Sequence, residues 1–218
     1  MNMKTQNKPS QRWKTLEVVL LVGIAVFLFS GALSLRTQDA LAEKVVRLHV
    51  LANSDSQEDQ ALKLQVRDRI LKRAEELLAS SADRAEAAAL LENDLPELER
   101  LAAEEIAAAG YDYPVAVRLE ETSFPTKEYD GFMLPAGRYL ALRVLIGEAG
   151  GQNWWCVVFP PLCAAASADV PASALAAGLT EEQVGLITEE NEGYVLKFKS
   201  VELWENLKER WNGWGSAS

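Results

Sequence analysis

The stretch RLHVLANSDSQEDQALKLQVRD, Arg47 to Asp68, changes its apolar period partway through, and that change decides the fold. Upstream, EKVVRLHVLAN (43–53) alternates. Val46, Leu48 and Val50 point one way and Arg47 and His49 the other, which predicts a strand with one buried face and one wetter face. Downstream, DQALKLQVRDRILKRAEELLA (59–79) places Leu62, Val66, Ile70, Ala74, Leu77 and Leu78 at helical spacing. Lys63, Arg67, Asp68 and Lys72 sit away from the centre of that stripe. A strand therefore turns into an amphipathic helix within a few residues.

The polar residues at the turn have two readings. Asp55 precedes the helical pattern and Glu58 follows three places later, the spacing of a capping box in which one carboxylate accepts from free N–H groups of the first turn. Glu58 and Asp59 also put negative charge at the positive end of the helix. Asp59 with Lys63 and Asp68 with Lys72 are i,i+4 pairs in the favourable order. The catalytic alternative is a hydrolytic or metal site built from His49, Asp55 and Asp59, or, without His, an exported hydrolase acting on cell wall with Asp55, Glu58 or Asp59 as acid or base. It needs several groups to converge, and the chain has a single His. Ser56 lacks the G-x-S-x-G surroundings of a nucleophile elbow. The expectation is a helix cap at Asp55 and Glu58, with no catalytic residue, cofactor or metal.

Outward from this turn, an Ala-rich stretch from Asp83 to Ala109 reads as a second helix, broken at Pro96 into two shorter ones and ended by Gly110. VAVRLEETSF (115–124), RYLALRVLIG (138–147) and NWWCVVF (153–159) read as strands. The last two are expected to form a hairpin through the Gly-rich GEAGGQ (147–152), and Pro160 and Pro161 end the final strand. PTKEYDGFMLPAG (125–137) is a long loop. The predicted fold is α+β, a mainly antiparallel sheet with helices packed on one face. On that sheet Arg47, His49, Arg118 and Arg143 share a face and form a candidate recognition surface, unless the face is solvated or covered by the tail. Trp154 and Trp155 must point to opposite faces, one under the helices and one against a partner or the tail.

The ends differ from the body. Residues 1–42 carry Lys4, Lys8, Arg12, Lys14 and Arg36 against Glu17 and Asp39, a balance of +3 on a chain of 218 residues at −10, which leaves −13 for the rest. Val18 to Leu35 is uncharged and long enough to span a bilayer, and the basic segment before it keeps the N-terminus on the cytoplasmic side. Ala40 to Ala42 offer small residues for cleavage, so a signal peptide and an uncleaved anchor both remain open. Either way residues 43–163 form an exported core. The acidic balance excludes a general nucleic-acid binder, which needs a basic stripe. In an exported domain Cys156 and Cys163 suit a disulfide, the alternative being two buried thiols. One His and two Cys without ligand spacing do not make a structural zinc site. Residues 164–218 read as an Ala-rich connector, a short helix at TEEQVGLITEE (180–190), a strand at GYVLKFK (193–199) and a Trp-bearing helix at SVELWENLKERW (200–211).

Three stretches taken together, RLHVLANSDSQEDQALKLQVRD, FPTKEYDGFMLPAGRY and NWWCVVFPPLC, resemble signature blocks of the stage II sporulation protein R family (SpoIIR) of endospore-forming Firmicutes. The resemblance runs from about Val45 to Cys163, and the leading hydrophobic segment agrees with it. After Cys163, AAASADV departs from the pattern. The resemblance implies a signalling protein and not an enzyme. It implies export from the forespore into the space between forespore and mother-cell membranes. There it implies triggering of a membrane aspartic protease of the mother cell (SpoIIGA), which processes pro-sigma-E. It carries over no catalytic residues.

Overall fold

The computed structural model describes residues 17–26, 38–129, 131–163, 170–176 and 178–188. The chain divides into two compact units, Met1–Gln38 and Asp39–Ser218. In the first, residues 17–26 are helical and exposed. The rest of the expected export segment, 27–35, lies outside the described residues, as do the strand at 193–199 and the helix at 200–211. Among the described residues no helix is long and apolar enough to cross a membrane.

The second unit is α+β. In order it contains β1 (Val46–Leu51), α1 (Gln57–Leu78), α2 (Arg84–Ala108), β2 (Val115–Phe124), β3 (Lys127–Tyr129), β4 (Phe132–Leu134), β5 (Gly137–Ile146), β6 (Asn153–Phe159), α3 (Val170–Ala176) and α4 (Glu181–Thr188). Among the described residues four strands form one sheet in the order β2-β5-β1-β6, and β3 pairs with β4 in a separate hairpin inside what reads from sequence as a loop. The sheet is mixed. β2 and β6 run antiparallel to their neighbours, but β1 and β5 are parallel, with Leu48 opposite Leu142. The expected β5–β6 hairpin is absent because β1 lies between its two strands. The Gly-rich loop instead arches over the end of β1, where Gly150 and Gly151 donate to the carbonyls of Asn53 and Ala52 (3.2 and 3.0 Å). A Cβ at Gly147 would meet Asn53 Oδ1 at 2.2 Å, and one at Gly151 would meet the Ser54 carbonyl at 2.2 Å. Both positions need glycine because the arch presses directly on the turn.

The alternation of β1 sorts its side chains as expected. Val46, Leu48 and Val50 join Leu142, Val144, Val117 and Val158 under α1 and α2, which bring Leu62, Val66, Ile70, Leu91, Leu98 and Ile106. α2 is not interrupted; it continues through Pro96. A proline inside a helix forfeits one backbone hydrogen bond. Leu91 and Leu98, fully buried on either side of it, hold both halves against the same core. Arg73 of α1 grips Asp94 of α2 through two hydrogen bonds of 2.8 and 2.7 Å.

The other sheet face is not wet, which corrects the reading of helices on one face only. A second apolar cluster joins Phe124, Tyr139, Ala141 and Val157 of the sheet to Phe132 and Leu134 of the hairpin and to Leu41 and Val45. Val170, Ala174, Val184 and Ile187 of α3 and α4 belong to it as well. α3 arises within the stretch read as a connector. α4 starts with a reciprocal cap, Thr180 Oγ1 accepting from Gln183 N–H and Gln183 Oε1 from Thr180 N–H.

Candidate functional site

The turn after β1 is a structural lock. The N-cap of α1 is Ser56, not Asp55; its hydroxyl accepts from the Asp59 N–H at 3.1 Å. Asp55 Oδ1 instead accepts from the Gln152 N–H across the arch at 2.7 Å. Glu58 is exposed and makes no return contact to a cap. Asp59, 4 % exposed, accepts from Asn53 Nδ2 (2.9 Å) and Ser54 Oγ (2.5 Å). Those bonds, Ser54 first and then Asn53, hold its carboxyl below the usual range, the opposite of what a general acid at neutral pH requires. Asn53 Oδ1 accepts from the Glu148 N–H at 3.0 Å. Lys63, 4 % exposed despite its place off the apolar stripe, donates to the Gln152 carbonyl at 2.9 Å. The dense polar residues of the opening stretch thus tie the β1–α1 turn to the β5–β6 arch.

His49 belongs elsewhere. It sits on the sheet face away from α1 and α2, and the register places Arg118, Arg143, His49 and Trp155 in one row across β2, β5, β1 and β6. His49 is 7 % exposed. Burial first, then the charges of Arg143 and Arg47, lower its pKa against the opposing effect of Asn153, so it is neutral at pH 7. Its Nε2 lies 2.7 Å from Asn153 Oδ1. An amide oxygen only accepts, so Nε2 carries the proton and Nδ1 is a bare acceptor, buried and without a hydrogen bond. The imidazole packs against Phe124 and Trp155, at 5.7 and 5.9 Å between ring centroids.

Around this row Arg118 is exposed, Arg143 pairs with Glu120, and Lys127 stands over the Trp155 ring at 5.9 Å. Trp155 is half-buried, and its indole Nε1 has no partner. The result is a cationic, aromatic strip on an acidic body. Trp154 takes the opposite face, partly buried against the main core with Arg67 at 4.8 Å from its ring. Arg47, expected on the recognition surface, is 0 % exposed, because the second cluster covers that end of the face. Phe124 and Asn153 were open to inference from strand alternation; Lys127 and Tyr129 come from a stretch with no period to read.

Cys156 and Cys163 are joined as a disulfide, their Cα atoms 5.4 Å apart. Among the described residues no group of three His, Cys, Asp or Glu is placed to hold a metal ion. An open cleft of about 620 Å³ lies between α1 and the end of α2, lined by Glu58, Leu62, Gln65, Glu105 and Tyr111 among others.

The family model described as stage II sporulation protein R matches residues 42–169. A curated relative, stage II sporulation protein R of Bacillus subtilis (strain 168), is 36 % identical over 156 residues, covering 66 % of this chain and 70 % of the relative. No solved structure matches.

Proposed function

The chain belongs to the stage II sporulation protein R family, and from that premise we propose that it is an exported signal of endospore formation that acts by binding. Its partner in this reading is a membrane aspartic protease of the mother cell (SpoIIGA-like), and the outcome is processing of pro-sigma-E. The chain leaves the forespore behind its basic, hydrophobic leader and works between the two membranes, released or anchored. It triggers the protease by binding the active state more tightly than the inactive one.

The observation that carries this reading is the row Arg118–Arg143–His49–Trp155. An exposed Arg and a half-buried Trp are of the residue types that dominate binding energy at protein interfaces. The carboxylates of the turn support binding over hydrolysis, since Asp55 and Asp59 are engaged by the arch and the turn.

The test is co-expression of this chain with the receptor protease and pro-sigma-E in growing cells lacking other sporulation proteins, with cleavage followed by immunoblot. Cleavage should depend on the chain. Trp155→Ala and Arg118→Glu should each reduce it roughly tenfold or more at equal export. Asp55→Asn should leave it largely intact. Cleavage that ignores the chain would sink the signalling reading; normal cleavage with both surface variants would move the contact off this face.

A further inference from the structure

Among the described residues Arg47 is the most deeply buried charged side chain. Its guanidinium is fully buried, and none of the ion pairs among the described residues includes it. One hydrogen bond is made, from an η nitrogen to the Tyr129 hydroxyl at 2.7 Å. The other η nitrogen and Nε have no partner. The cation lies 4.0 Å from the Phe124 ring centroid and 5.0 Å from that of Tyr139. Aromatic faces offset part of the lost hydration, but they accept no fork of N–H groups. A buried guanidinium without a counter-anion is strongly unfavourable, and either edge that could hold a carboxylate through two N–H groups, Nε with Nη2 or Nη1 with Nη2, includes the nitrogen that Tyr129 engages, so a bidentate carboxylate must take the place of the Tyr129 hydroxyl.

The side chain that bonds to Arg47 is less buried than the rest of the covering cluster. Tyr129 is half-buried, ends a three-residue strand whose hairpin pairs with no other strand among the described residues, and stacks on Phe132 at 4.7 Å. A hairpin of that size has little stability of its own. Arg47 also stands two residues before His49 on the same side of β1, so it lies beside the cationic row. Arg118, Arg143 and Lys127 would draw an acidic segment to the mouth of the Arg47 cage.

We propose that Arg47 is the base of a carboxylate-binding site, closed in the free chain by Tyr129, whose ligand is an aspartate or glutamate side chain carried on a protein partner. This deepens the partner-surface reading and depends on it only for who carries the carboxylate. Opening needs a swing of the Tyr129 side chain, which frees the third donor for the same ligand.

The experiment uses the full chain in detergent and no receptor, so it is independent of the cleavage assay. The Arg47 Nε–H signal is assigned through bonds by NMR. It is then followed during titration with the peptide acetyl-Gly-Glu-Gly-amide and with its Gln counterpart. The Glu peptide should shift that signal and slow its exchange, the Gln peptide should bind at least tenfold more weakly, and Tyr129→Ala should tighten binding of the Glu peptide. Arg47→Met should fold with an unchanged or higher melting temperature, because it removes an uncompensated charge. Equal response to the two peptides, or none in Tyr129→Ala, overturns the proposal. So does a melting temperature of Arg47→Met lower by several degrees. A shift of the free chain's signal on Asp130→Asn overturns it as well, since the chain would then supply its own carboxylate.

Discussion

Ser54 and Asn53 both donate to Asp59, and they favour its ionised form. The sign of the pH dependence follows. A carboxyl whose folded pKa lies below its unfolded value of about 3.9 adds stability above that value and loses it as pH falls through the folded pKa. Asp59→Asn should therefore be less stable than the parent at pH 6, and the gap should shrink as pH falls below about 4. Urea titrations at pH 6 and pH 3 check this; a gap that is the same at both means the carboxylate's charge does no work in the lock. The chemistry of these residues was visible in the sequence, but their partners were not. Asp55, Asn53 and Lys63 all reach residues 148–152, and a local pattern contains no term for a loop that far along the chain.

The α1 cap shows the same limit at the scale of one element. The helix, its start near residue 57 and its buried stripe are as the apolar period indicates. Asp55 lies between Ser54 and Ser56 at the boundary, and propensity ranks Asp and Ser alike as caps. The arch decides between them, because the Gln152 N–H takes Asp55 and leaves Ser56 to cap. Ser56→Ala should cost about 1 kcal/mol of stability. Urea denaturation of the chain would show it, and a neutral Ser56→Ala would mean that the first turn finds its acceptor elsewhere. α2 fails in the opposite direction. Pro96 is a valid local stop signal, overridden by burial of Leu91 and Leu98 on both sides of it.

For the whole molecule, the cross-link between Cys156 and Cys163 encloses Val157 to Leu162 at the end of β6, an edge strand among the described residues. Chain-entropy arguments assign a bridge of that span about 2 kcal/mol. Reduction, or paired Cys→Ser replacement, should lower stability by about that much and leave the sheet intact by far-UV circular dichroism. Loss of the sheet would show that β6 depends on the bridge for its place. What the sequence determined by itself is everything with a short period or a long signature: the β1–α1 switch, the strands β1, β2, β5 and β6, the sharing of one face by Arg47, His49, Arg118 and Arg143, and the family. What only the tertiary structure decided is the order of the strands and the fate of that face. Putting β1 between β5 and β6 turned an expected hairpin into an arch, and the packing of the β3–β4 hairpin, α3 and α4 buried Arg47 while leaving Arg118 exposed. The physical reason is that alternation assigns a side chain to a face of its strand, whereas burial depends on which distant apolar surfaces cover that face.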